Sequence, residues 1–270
     1  MSLVDTNWLE KNLEKVKIID CSWHMPQTKR NGFEEYQQQH IDNAIFFDLD
    51  KNSKINIDLP HMLTDKKSWE KIISGMGIRN EDRIVIYDNS DVISSCRCWY
   101  NFIYFGHDPS LVHVLDGGLK KWIIEKKLVV NNLTKTTNSC YIAQEKSKLV
   151  KDKKQIDENI YLNKFDLIDA RSRERFEGKV LEPRKGLRSG SIENSFCLPF
   201  SDLINENRTF VDKKKILEKF KLTKCELNKN IVFTCGSGVT ASVLALAYSL
   251  IDIKYMPIIY DGSWCEYGKD

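Results

Sequence analysis

The chain has 270 residues, 41% of them hydrophobic, with 41 basic against 38 acidic side chains for a net charge of +3. That length and composition predict about two domains with sizeable cores, and the near-balanced charge offers no footprint for nucleic acid or an anionic membrane surface. No stretch approaches the ~20 apolar residues of a membrane span, and the start, Met1-Ser2-Leu3-Val4-Asp5, shows neither the basic nor the apolar region of a secretory signal. The eight cysteines (21, 96, 98, 140, 197, 225, 235 and 265) have no framework spacing, so free thiols in a reducing cytosol are expected. Cys96-Arg97-Cys98 is a single C-x-C without a second ligand cluster, and no metal site is expected there.

In chain order, Val16 to Asp20 is expected as a short strand, with Cys21-Ser22-Trp23 leading out of it. Phe33 to His40 is polar with aromatics, and Ala44 to Phe47 is a further apolar segment. Asp65 to Ile78 has helical spacing, with Trp69, Ile72, Ile73 and Met76 on one face. Arg83 to Asp88 is expected as a buried strand and Ser95 to Phe105 as a helix. Val112 to Leu115 follows as a strand, and then Asp116-Gly117-Gly118 as a turn.

The second half repeats the first. Phe165 to Asp169 echoes Val16 to Asp20, and Gly190 to Ser195 echoes Gln39 to Ala44. Ile231 to Cys235 echoes Ile84 to Asp88, and Ile259 to Trp264 echoes Val114 to Leu119. Four matches in one order predict two copies of an α/β unit, each a mainly parallel sheet flanked by helices. The expected domains are residues 1–130, a lobe without a nucleophile, and 160–270, the catalytic lobe. The polar stretch 131–159 between them reads as a linker, with a strand around Cys140 to Ala143. A site in the cleft between lobes is the default expectation.

The stretch most telling of chemistry is Ile231 to Ala241. An apolar, β-branched run ends in Cys235, a glycine-spaced loop (Gly236-Ser237-Gly238) follows, and Ser242 to Leu250 is expected as a helix. Strand, tight loop and helix gather backbone N–H groups into a cradle at a helix N-terminus, where an anionic sulfur is stabilised. The two glycines permit φ > 0 conformations. A buried structural cysteine at a strand end is the bland alternative, but it would leave the glycines and the helix without a purpose. Cys235 is therefore the expected nucleophile. In the first copy Asp88 stands at that position.

Cys235-Gly236-Ser237-Gly238-Val239-Thr240-Ala241 resembles the active loop of the 3-mercaptopyruvate sulfurtransferases within the two-domain rhodanese superfamily. Supporting matches are Asp169-Ala170-Arg171, Arg175-Phe176, Glu182-Pro183-Arg184 and Tyr260-Asp261-Gly262-Ser263-Trp264. The resemblance spans nearly the whole chain and implies a tandem rhodanese fold and a persulfide mechanism. Cys235 takes sulfur from 3-mercaptopyruvate, releases pyruvate, and passes the sulfur to cyanide or a thiol acceptor such as thioredoxin or a small dithiol. Gly236, Gly238, Val239 and Thr240 would cradle the donor. Arg175 and Arg184 correspond to the arginines that grip its carboxylate and ketone, for which planar guanidiniums are well suited. Arg171 and Arg173 are expected at the surface or in structural ion pairs, and Arg188 lies outside the family pattern.

The resemblance also implies a Ser237, His61 and Asp50 relay managing protons at the leaving enolate or the incoming thiol. His61 and Asp50 come from the first half, so this relay is expected to join the two lobes. No metal, nucleotide or organic cofactor is implied. Asp42-Asn43 and Glu193-Asn194 replace the family's Pro-Gly turns, which puts local rigidity in question there. A thiosulfate sulfurtransferase is the nearest rival, although that type carries an Arg and a Lys directly after the cysteine. A cysteine phosphatase would need an arginine where Ala241 stands. A non-catalytic sulfur-relay or binding module remains as a third reading.

Overall fold

A computed structural model describes residues 2–226 and 230–269. The chain forms two compact units. The first takes in Met1–Ile55, Leu63–Lys146 and Asn205–Phe210, and the second Asn56–Met62, Ser147–Ile204 and Val211–Asp270.

The first unit is built on a parallel sheet in the order Leu3–Val4, Val112–Leu115, Ile84–Tyr87, Lys17–Asp20, Ala44–Phe46. Its middle strand, Ile84–Tyr87, is apolar without alternation and every one of its residues is buried, as expected where helices cover both faces of a parallel sheet. Helix Lys66–Gly75 starts where the Asp65 carboxylate accepts the Ser68 amide at 3.1 Å, and it buries Trp69 and Ile73. Helix Ser95–Tyr104 is buried along nearly its whole length. Leu9, Ile18, Tyr36, Val85 and Trp122 pack in one cluster on this sheet.

The second unit repeats the topology: Val150–Lys151, Ile259–Tyr260, Ile231–Thr234, Asp166–Asp169, Phe196–Cys197, all parallel. Position for position this is the order of the first sheet, so the internal repeat predicted from four sequence matches extends to a fifth strand. That strand, Val150–Lys151, pairs with Ile259–Tyr260 from within the stretch expected to be linker. Helix Lys153–Leu162 follows at once, opened by a capping box in which Asp152 Oδ1 accepts the Gln155 amide at 2.8 Å.

Residues 131–146 form no strand among the described residues; the expected strand at Cys140 to Ala143 is instead an extended strap. The Ile142 amide bonds Asn80 Oδ1 at 2.9 Å, Asn80 Nδ2 returns to the Ile142 carbonyl at 2.8 Å, and the Ala143 amide bonds Glu70 Oε1 at 2.9 Å. Side chains satisfy the backbone that a neighbouring strand would otherwise pair. The altered turns keep a tight geometry, because Asn43 and Asn194 take the left-handed conformation at φ 62° and 59°, a region asparagine tolerates.

The loop after Ile84–Tyr87 is organised by its own anion. Asp88 Oδ1 accepts the Ser90 amide at 2.8 Å and Oδ2 the Ser95 amide at 2.9 Å. Burial pushes the Asp88 carboxyl above the usual range. Nearby Asp20, at the end of Lys17–Asp20, is pushed up to about 7 by burial, with the Asp88 charge adding to the push. Because the fold prefers Asp20 protonated, it contributes stability that is fully present below about pH 4 and is lost as pH rises through about 7. Asp20→Asn should flatten that slope, so the substituted protein gains thermal stability relative to the parent between pH 5 and pH 8. Parallel melting temperatures across that window would show that Asp20 does not set the pH response.

Candidate active site

The Ile231–Thr234 strand ends at Cys235, which is 2% exposed. Helix Val239–Ile251 begins directly behind the loop, three residues earlier than the sequence pattern suggested, so Val239 and Thr240 form its first turn. The positive end of its dipole therefore faces the loop that carries the sulfur. Of the two glycines only Gly238 uses its conformational freedom, at φ 80°.

A short helix, Ser263–Tyr267, fastens the loop from behind. The Trp264 amide donates to the Cys235 carbonyl at 2.9 Å and the Cys265 amide to the Gly236 carbonyl at 2.8 Å. Ser263 Oγ accepts the Cys235 amide at 3.2 Å and donates to the Tyr260 carbonyl at 2.8 Å. The amides of Gly236, Ser237 and Gly238 take no acceptor among the described residues. Cys265 lies within electrostatic reach of the same groups: burial pushes its thiol up, while Arg184 and Arg175 pull the other way.

Arg175 and Arg184 both reach the loop. A Cβ at Gly236 would stand 3.4 Å from Arg175 Nη2 and 3.7 Å from Arg184 Nη1. Arg175 extends from the short helix Arg173–Phe176, whose Ser172 cap holds its first turn. Its Nε and Nη2 donate to the two Glu182 oxygens at 3.1 and 2.6 Å. Arg171, expected at the surface or in an ion pair, is fully buried and paired: its Nε and Nη2 bond Asp169 Oδ2 at 2.9 and 2.6 Å, and its Nη1 bonds Glu182 at 2.9 Å. Burial works against its charge, yet Asp169 and Glu182 outweigh it and raise its pKa. The Arg171 and Arg188 guanidiniums lie 4.3 and 4.6 Å from the Trp264 ring centroid. Arg173 is an exposed partner of Asp202.

His61 Nδ1 lies 2.9 Å from Ser237 Oγ, both residues being buried. Its backbone sits at φ 60°, a strained conformation for histidine and one that segments at functional sites often store. Although His61 comes from the first half of the sequence, the Asn56–Met62 segment packs as part of the second unit, so the His61–Ser237 contact lies within one unit. This corrects the expectation that His61 belongs to the first lobe. Asp50 lies in the first unit, where Oδ2 accepts Trp23 Nε1 at 3.0 Å. Sequence reasoning missed Asp169, Glu182 and Ser263 as parts of the site. Their only signal was membership in the motifs that flank Arg171, Arg184 and Trp264.

Residues 5–125 and 151–270 each match the model of the rhodanese-like domain, and the chain belongs to that family as a tandem of two copies. It is 36% identical to thiosulfate/3-mercaptopyruvate sulfurtransferase 1, mitochondrial, of Arabidopsis thaliana, over 98% of this chain and 76% of that protein. It is 32% identical to 3-mercaptopyruvate sulfurtransferase of Mus musculus, over 98% of this chain and 91% of that one. Among solved structures, the 3-mercaptopyruvate sulfurtransferase SseA of Escherichia coli superposes with a TM-score of 0.88 at 28% identity, covering 98% of this chain and 99% of that one. Among the described residues no helix is long and apolar enough to cross a membrane, and no group of three or more His, Cys, Asp or Glu is arranged to hold a metal ion.

The two loop glycines should respond differently to substitution. Gly238→Ala places a side chain at φ 80° and should cost about 1–2 kcal/mol of unfolding free energy. Gly236 is outside the left-handed region and a Cβ there meets only ordinary contacts, so Gly236→Ala should change stability by less than about 0.5 kcal/mol. Denaturant unfolding of both proteins checks this, and equal losses would contradict the loop geometry.

Proposed function

We propose that this chain is a sulfurtransferase that moves sulfur from 3-mercaptopyruvate, through a persulfide on Cys235, to a thiol or cyanide acceptor, releasing pyruvate. The observation that carries the reading is the convergence of two guanidiniums on Gly236, the residue next to the strand-end cysteine. The names of the relatives supply the reaction class, and the geometry is consistent with it.

Cys235 attacks the thiol sulfur of the donor as a thiolate. The carbon–sulfur bond breaks, its electron pair passes to the adjacent carbon as the enolate of pyruvate, and the new S–S bond leaves a persulfide on Cys235. The proton from the donor thiol is passed to the enolate carbon, so pyruvate leaves as the ketone. Ser237 hydrogen-bonded to His61 is suited to carry that proton, with Asp50 as a candidate third member. Arg175 and Arg184 hold the donor's carboxylate and ketone by charge-assisted hydrogen bonds. The amides of Gly236, Ser237 and Gly238, with Val239 and Thr240 opening the helix, stabilise an anionic sulfur or persulfide without rearranging. In the second half-reaction the acceptor thiolate attacks the outer sulfur, and Cys235 returns as a thiolate. Thioredoxin or a small dithiol is the acceptor class we favour. All eight cysteines are free, which supports a reducing compartment such as the cytoplasm.

Mass spectrometry of the intact protein mixed with 3-mercaptopyruvate, without acceptor, should show one added sulfur and one equivalent of pyruvate. Reductant should remove the sulfur, and Cys235→Ser should show neither product. An adduct mapped to Cys265 or Cys98 would sink the assignment. Thiocyanate formed from thiosulfate and cyanide at a higher kcat/KM than pyruvate from 3-mercaptopyruvate would favour the thiosulfate reading.

A further inference from the structure

Arg175 and Arg184 reach Gly236 in different electrostatic states. The Glu182 side chain is 1% exposed and spans two guanidiniums at once, taking Arg175 on both oxygens and Arg171 on one. Arg171 is fixed in turn by Asp169, by the Gly190 carbonyl at 2.9 Å and by the Trp264 face. The carboxylate cannot swing away from Arg175 without stripping Arg171 of a partner, and at that depth water cannot replace it. No carboxylate pairs with Arg184 among the described residues.

We infer that Glu182 is a positioning residue that holds Arg175 as an already neutralised hydrogen-bond donor and leaves Arg184 as the uncompensated charge facing Gly236, so that the site prefers a sulfur donor with one negative charge over one with two. A monocarboxylate such as 3-mercaptopyruvate matches Arg184 in charge and uses the N–H groups of Arg175 that Glu182 leaves open. A dianion such as thiosulfate brings a second charge that the paired Arg175 cannot offset without competing with Glu182. The inference deepens the sulfurtransferase reading and rests on it.

E182Q tests this, because the amide is nearly isosteric and its oxygen still accepts from either arginine while the charge is gone. Steady-state rates with 3-mercaptopyruvate and with thiosulfate are measured at one ionic strength. The ratio of kcat/KM for thiosulfate to that for 3-mercaptopyruvate should rise at least fivefold, because the freed Arg175 charge lowers KM for the dianion more than for the monoanion. A merely structural role would lower both values in step, and an unchanged ratio overturns the proposal. If E182Q does not fold, R184Q and the double variant R175Q/E182Q, which removes the pair together and leaves no unpaired carboxylate, answer the same question. Removing the uncompensated charge should flatten the salt dependence of kcat/KM for 3-mercaptopyruvate, whereas removing the neutral pair should leave it. Identical salt dependence in the two variants overturns the proposal as well. The parent protein run alongside separates the two levels of reading: failure to turn over either donor condemns the sulfurtransferase assignment itself.

Discussion

Crowding three guanidiniums around one end of a parallel sheet is an electrostatic problem before it is a catalytic site. Buried or half-buried charges of one sign are tolerated only when carboxylates interleave them and hydrogen bonds fill the remaining donors. Asp169 and Glu182 do that here. Asp169 sits on the last residue of its strand and grips Arg171 two residues on, so the backbone turn and the ion pair form together. Glu182 then joins Arg171 to Arg175, and Trp264 stacks against Arg171 while its own amide ties the Cys235 carbonyl. The Cys235 loop and the arginines that reach Gly236 are thus parts of one network.

The two units show what such a loop needs when it carries no cysteine. In the first, the Leu119 amide bonds the Asp88 carbonyl at 2.9 Å, matching the Trp264 bond to Cys235 in the second. Gly118 occupies the left-handed position before it at φ 56°, with the Asp88 carbonyl only 2.4 Å from where a Cβ would be. In the second unit that position is Ser263 at φ 49°. A serine there accepts backbone strain that a glycine avoids, and its hydroxyl accepts the amide of Cys235. The side chain of Asp88 fills its own loop with a carboxylate, whereas the amides that follow Cys235 take no acceptor among the described residues. One scaffold thus holds a carboxylate at the strand end in one copy and a thiol in the other.

Much of this was legible in the residues. The apolar runs at 84–87 and 231–234 could be nothing but buried strands, and the cysteine followed by spaced glycines announced its loop. What escaped was short, polar or paired at long range. Val150–Lys151 is a strand of two residues in a lysine-rich stretch, and no hydrophobic period marks it. The exchange of Asn56–Met62 and Asn205–Phe210 between units leaves no local trace, because it is decided by contacts such as the Phe210 amide on Asp116 at 2.8 Å. In the sequence Glu182 stands out only as the neighbour of Arg184 in Glu182-Pro183-Arg184. Its importance comes from two guanidiniums that lie seven and eleven residues away along the chain.

The neutral loop side chains acquire meaning from the same network. Gly236 and Ser237 place no charge beside the sulfur, so positive potential there comes from the helix terminus, the amides and the arginines. The helix and amide contributions are fixed dipoles that fall off within a turn, and they act on the sulfur whether or not a donor is present. The charge of an arginine reaches farther and acts on the donor carboxylate as well, but it is useful only to the extent that no carboxylate has already cancelled it. On the proposed reading, separating the two sources would stabilise the nucleophile with dipoles and choose the donor with charge. Placing a lysine or arginine within the loop would merge those tasks, since one full charge would then act on the sulfur and the donor together. The division of labour depends on Glu182 being buried, because a solvent-exposed carboxylate would be screened and its hold on Arg175 would weaken with salt.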